Sequence, residues 1–184
     1  MSGSARLVFV SVGTDHHPFA RLVEWADAWA AKEHGPGVRC VVQHGRSPAP
    51  RVAEGHAYLE HGELTALMAE ASVVVCHGGP TTIAESRRRG LLPIVVPRSP
   101  RLGEHVDDHQ ERFCARLAAS GLIAPARDEA HLHELIDRAL ADPEAFRAEA
   151  GTDSTAAAVR RFGDLVDDLL AARAVRRGSR PRSA

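Results

Sequence analysis

Cysteine is scarce in this chain and cannot pair off: Cys40, Cys76 and Cys114 make an odd count, and no CxxC spacing occurs. A disulfide framework is thereby excluded, and thiols in a reducing compartment are the plain reading. Net charge is nearly absent too, at −1, so the molecule as a whole has no field that draws nucleic acid. Lysine is all but missing, with Lys32 alone, and arginine carries the positive charge. Long apolar runs are lacking. Leu7 to Val12 is too short for the core of a signal peptide, and Leu91 to Val96 falls far below a membrane span. The chain is therefore expected to be cytoplasmic. Neither GxGxxG nor a Walker loop is present, and no HExxH or Cys/His ligand spacing occurs.

What is present is an ordinary globular composition, with 44% hydrophobic and 26% charged residues. Its 184 residues suit one domain over 1–172 with a short tail over 173–184. That tail holds five arginines and no acid, and is expected to be disordered.

Strand and helix signals alternate along the chain. Leu7–Val12 is a strand entering a Gly13-Thr14 turn. Phe19–Lys32 has helical apolar spacing, Val38–Val42 is a second strand, and Glu63–Ala71 is a short helix. Ser72–Cys76 is continuous enough to be a strand buried on both faces. Thr81–Arg89 is a helix with Pro80 at its start and Gly90 past its end. Leu92–Val96 is a fourth strand, and helices follow over 108–120, 129–141 and 156–172. This alternation predicts an α/β fold with a doubly wound parallel sheet.

Three segments fall on the rim at the carboxyl ends of the strands, where such sheets bind ligands. In VVVCHGGPTTIAE, a buried strand runs into Gly78-Gly79 and opens a helix. Amides at that helix start favour a phosphate group, and Thr81 and Thr82 add hydroxyl donors. Glu85 can accept from two neighbouring hydroxyls, as on a ribose. A tight turn followed by a solvated glutamate is the bland reading, and local sequence gives the two about even weight. In VVPRSPRLGEHVDDHQ, the residues Asp108, His109 and Gln110 can hydrogen-bond a polyhydroxy group, while Asp107 or Asp108 also suits an N-cap. The turn Gly13-Thr14-Asp15-His16-His17 is the third segment. His16, His17, His77, His105 and His109 all fall in rim loops, which raises a metal site. Neighbouring His16 and His17 rarely both face one metal, so hydrogen bonding is preferred and no metal is expected.

Taken in order, VFVSVGTDHHPFARLV, ELTALMAEASVVVCHGGPTTIAESRRRGLLPIVVPR and EHVDDHQERFCARLAASG resemble the C-terminal domain of glycosyltransferase family 28. The likeness extends to its split members, the PssE-type exopolysaccharide subunits and the catalytic subunit of the dolichol-linked GlcNAc transferase. The resemblance implies the Rossmann-like donor half of a GT-B transferase that binds a UDP-sugar and uses no bound metal. By position it implies that Gly78, Gly79, Thr81 and Thr82, with His77 beside them, hold the diphosphate. It implies Glu85 at the ribose, Asp108, His109 and Gln110 at the sugar, and Gly13 and Thr14 at the phosphates from the other side. Arg98 is an expected helper of the leaving group, and His17 a candidate base. Where a relative carries an Asn one turn after the Gln, this chain has Cys114, which leaves the sugar open. The split members imply a membrane-associated partner that binds a lipid-linked acceptor, holds the base and brings the chain to the inner membrane face. A UDP-binding regulatory subunit without transfer activity is the rival reading.

Overall fold

The computed structural model describes residues 6–35 and 37–148. The expected helix over 156–172, the domain boundary at 172 and the arginine-rich tail lie outside the described residues.

Six strands form one all-parallel sheet: β1 (Arg6–Ser11), β2 (Val38–Gln43), β3 (Glu54–His56), β4 (Ala71–Cys76), β5 (Ile94–Val95) and β6 (Ala124–Pro125). Their order across the sheet is β3-β2-β1-β4-β5-β6, the doubly wound arrangement expected from the alternation of signals. The helices are α1 (Ala20–Ala30), α2 (His61–Glu70), α3 (Pro80–Arg88), α4 (His109–Ala119) and α5 (Glu129–Ala141).

Strand alternation shows how the layers form. Side chains of successive strand residues point to opposite faces. Val8, Val10, Val73 and Val75 lie in one core cluster with Leu22, Ala26 and Trp29 of α1 and Leu132 and Ile136 of α5. Leu7, Phe9 and Val74 lie in the other, with Met68 of α2. β1 and β4 are thus apolar on both faces, which is why they read as unbroken hydrophobic runs.

Two strands went unread. β3, sequence EGH, is exposed or half-buried at every position and has no apolar pattern. β6 has two residues and ends on a proline, which an edge strand tolerates. β5 is also shorter than the Leu92–Val96 run, although residues 93–96 are all buried.

The three thiols are free, with Cys76 and Cys114 buried. Desolvation pushes each of them up to about 12. Among the described residues, no helix is long and apolar enough to cross a membrane.

Leu132 is fully buried where α5 meets α1 and the sheet. Leu132→Ala should cost about 2–5 kcal/mol, measured as a lower urea midpoint with an unchanged slope.

Candidate functional site

In this strand order, the direction of winding reverses between β1 and β4. Ligands on open α/β sheets bind in the crevice that the two loops leave at such a point. The register pairs Ser11 with Cys76, so the chain leaves both strands at the same height. Gly13-Thr14 follows one strand, and His77-Gly78-Gly79 follows the other.

The His77 imidazole fills the gap between these loops. A Cβ placed on Gly13 would lie 2.5 Å from His77 Cε1, and one on Gly79 would lie 2.5 Å from His77 Nε2. Both positions must therefore be glycine, and Gly13 also has φ +78°. His77 Nδ1 lies 3.3 Å from the Ser11 carbonyl, which fits an N–H donor at that atom. Burial, then the Arg98 charge, pulls His77 down to about 4. The ring is therefore neutral at pH 7 and its Nε2 is an acceptor.

Behind Gly13 sits a buried polar pair that sequence reasoning passed over. Ser11 Oγ donates to Gln43 Oε1 at 2.7 Å. Gly13 N–H donates to Ser11 Oγ at 3.3 Å, and Gln43 Nε2 donates to Gly13 O at 3.4 Å. The signal available was a Ser and a Gln that each follow a run of apolar residues at the carboxyl end of a strand.

Gly78 has φ +90°, and a Cβ there would meet Cys114 Sγ at 2.5 Å. This close approach sets the Gly-Gly turn against α4. Gly79 is the N-cap of α3, Pro80 follows it, and no side chain caps the helix start. The Ile83 amide reaches Gly79 O. The amides of Thr81 and Thr82 stand at the positive end of the helix dipole, where an anion is favoured. Thr81 is exposed and Thr82 half-buried.

Further along α3, the Glu85 carboxylate is held by Arg88 at 3.1 Å and by Arg89 through a short contact. Partial burial raises its pKa, but the bonds from Arg89 and Arg88 win and leave it lowered. Glu85 is thus ionised and already partnered on its own helix, and any ribose would share it with two guanidinium groups.

The loop after β5 resolves the choice between Asp107 and Asp108. Asp107 Oδ1 accepts from the His109 amide at 3.2 Å, and its Oδ2 lies 2.9 Å from His109 Nδ1. Asp108 occupies the N-cap place without a side-chain cap, and its carboxylate pairs with Arg112 at 2.9 Å in largely open surroundings. Gln110 Oε1 accepts from the Arg98 amide at 2.9 Å, which ties the start of α4 to the loop.

Arg98, expected as a helper of a leaving group, is 1% exposed. Its Nη1 donates to His17 O at 2.7 Å and to Glu104 O at 3.0 Å, and its Nη2 donates to Val12 O at 2.7 Å. The guanidinium carbon lies 4.8 Å from the centre of the Phe19 ring. The correction is physical: Arg98 turns inward to three carbonyls and braces the rim instead of presenting a free cation to it. Glu104, also buried, pairs with Arg21 at 2.7 Å and accepts from the Ser99 amide, which fixes the other side of the same loop.

His16 and His17 both approach Asp15: His17 Nδ1 lies 2.7 Å and His16 Nδ1 3.5 Å from Asp15 Oδ1. His105 joins from the β5 loop, with its Nε2 3.9 Å from Asp15 Oδ2. Sequence spacing cannot reveal that convergence, because the two loops are separated by some eighty residues of chain.

Two measurements check this geometry. Arg98→Met should leave three carbonyls without their donor, at about 1–3 kcal/mol for each one that water does not reach. Urea denaturation reads the loss, and limited proteolysis should shift to the rim loops. His77 supplies a pH test. Above its ordinary value of 6.5 both states are neutral, and between 6.5 and about 4 only the unfolded chain binds the proton. Stability should therefore be lost as pH falls through that window, and His77→Asn should flatten the profile there.

The family model of the glycosyltransferase family 28 C-terminal domain matches residues 7–169. No curated protein matches the chain. Among solved structures, the glycotransferase of kitacinnamycin superposes at TM-score 0.54 with 20% identity, covering 93% of this chain and 40% of its own. MurG of Acinetobacter baumannii gives 0.54 and 16%, covering 89% and 51%. The UDP-GlcNAc 2-epimerase of Neisseria meningitidis gives 0.59 and 13%, covering 92% and 45%. At these identities the likeness concerns the fold. The chain spans about half or less of the length of the structures it matches.

Proposed function

We infer, for a chain that belongs to the glycosyltransferase family 28 C-terminal domain family, that it binds the UDP-sugar donor of a hexosyl or N-acetylhexosaminyl transfer. The observation that carries this reading is the switch-point crevice. Two glycine turns leave β1 and β4 side by side there, and one of them opens an uncapped helix.

In the proposed reaction, an acceptor hydroxyl attacks the anomeric carbon, the glycosidic bond to phosphate breaks, and UDP leaves carrying the negative charge. Donors already aimed at that charge lower the barrier most. The Thr81 and Thr82 amides and hydroxyls supply them, with Gly78 and Gly79 letting the diphosphate approach the backbone. Gly13 and Thr14 close the other side, and neutral His77 between them adds no competing charge. Glu85 takes the ribose, while Asp108, His109 and Gln110 face the sugar. Arg98 acts at one remove by holding the loop that carries His17. The transfer draws on no metal.

The acceptor is proposed to be lipid-linked and bound by a separate, membrane-associated partner, which brings this chain to the inner face of the membrane as part of polysaccharide biosynthesis. The partner holds the base, because it holds the hydroxyl to be deprotonated. His17 is the candidate base on this chain: Asp15 accepts at Nδ1 and leaves Nε2 for a proton.

Calorimetric titration with UDP, ADP and GDP is the direct test. UDP alone should bind, and Glu85→Ala should lose about 1.5–3 kcal/mol, the value of a hydrogen bond to a charged group. Equal binding of all three nucleotides, or none with the partner present, would sink the donor reading. UDP binding without transfer in the assembled complex would favour a regulatory subunit. Turnover abolished in His17→Ala, with UDP affinity unchanged, would move the base onto this chain.

A further inference from the structure

We propose that Asp15, His16 and His17, with His105, form a site for a borderline divalent cation, zinc in the first instance. The argument starts from distances. Zinc takes imidazole nitrogen and carboxylate oxygen at about 2.0–2.2 Å. Two ligand atoms on one tetrahedral zinc therefore lie about 3.3 Å apart.

The atoms around Asp15 bracket that spacing. Oδ1 is 2.7 Å from His17 Nδ1 and 3.5 Å from His16 Nδ1, and Oδ2 is 3.9 Å from His105 Nε2. One ligand atom from each of Asp15, His16 and His17 lies within 4.8 Å of the others. Exposed His16 can turn toward such an ion, and the hydrogen bond between His17 Nδ1 and Asp15 Oδ1 opens to admit it.

The protein has also fixed part of this arrangement. The His17 amide donates to Asp15 Oδ1 at 2.8 Å, and its carbonyl accepts from Arg98. The ligand pair therefore sits on a braced backbone. His105 comes from a different loop, and its Nδ1 accepts from the Asp107 amide at 3.3 Å and lies 3.4 Å from Asp107 Oδ1. Asp15 and Asp107 bring two negative charges against the one on Arg98, so the local balance suits a dication. Nitrogen-rich ligation favours zinc over magnesium or calcium, which prefer all-oxygen shells.

The site stands at the mouth of the switch-point crevice, one residue beyond the Gly13-Thr14 turn. A cation held there would add positive charge beside that turn. The proposal does not rest on the donor reading, because its readout is metal binding and not transfer.

The full chain, stripped with chelator, would be titrated with zinc by calorimetry, and the metal content of the dialysed protein measured. One zinc per chain is expected. Asp15→Asn and His105→Gln should each weaken it roughly tenfold or more, while His56→Gln and His131→Gln, altered on other surfaces, should not. Circular dichroism and urea midpoints on the same samples separate lost ligation from lost folding. Cobalt(II) supplies a second readout: the visible bands of a four-coordinate site should form in the wild type and be lost in Asp15→Asn. Absence of saturable zinc binding overturns the proposal. So does an affinity indifferent to Asp15→Asn, or one weakened equally by His56→Gln, since eleven histidines can also collect metal without a site.

Discussion

The pairing of β1 with β4 is the constraint on which the rest of this domain depends. These strands are neighbours in space although α1, β2, β3 and α2 lie between them in the chain. Their side-by-side exit places two glycine turns within reach of a single imidazole. Each turn has lost its side chain to the same object, since His77 occupies the space that a Cβ at either Gly13 or Gly79 would need. The crevice is therefore bounded by backbone, and backbone amides do not change charge with pH or swing away from a ligand.

Arg98 does for the outer loops what His77 does for the inner ones. Burying a guanidinium is costly unless its donors are used. Here three donors reach carbonyls on three separate stretches of chain, ending β1, preceding α1 and following β5. The Phe19 ring under the cation adds attraction in a dry setting. A cation placed this way gives up direct contact with a ligand and instead sets where the rim can stand.

Much of the fold was legible because its signals are local. Ser72–Cys76 reads as a strand buried on both faces and Leu7–Val12 as a strand from their unbroken runs, and α5 was placed at its observed ends. Asp128 caps its first turn, and Leu132, Leu135, Ile136 and Ala139 repeat on one face. β3 and β6 were missed because edge strands of two or three residues need no apolar face; their partners define them. The candidate site divides in the same way. The glycine turns and the opening of α3 are written in consecutive residues. The inward turn of Arg98, the locking of Glu85 by Arg88 and Arg89, and the approach of His105 to Asp15 depend on what lies across the fold. Asp107 and Asp108 are the instructive pair: sequence offered either as the N-cap of α4, and in the fold Asp108 takes that place without a side-chain cap while the Asp107 carboxylate accepts from the His109 amide.

Cys76 and Cys114 sit where β4 meets α4, one on each side of the Gly78 turn. Their thiols are buried and held near pKa 12, far above the value at which a thiolate forms in neutral solution. In the closed molecule they are chemically silent. An excursion that lifts α4 from the Gly78 turn uncovers Cys114, whose Sγ packs against that glycine. The domain therefore carries its own clock for the opening of this seam: the rate at which a thiol reagent consumes Cys114 counts how often the glycine turn and α4 part company.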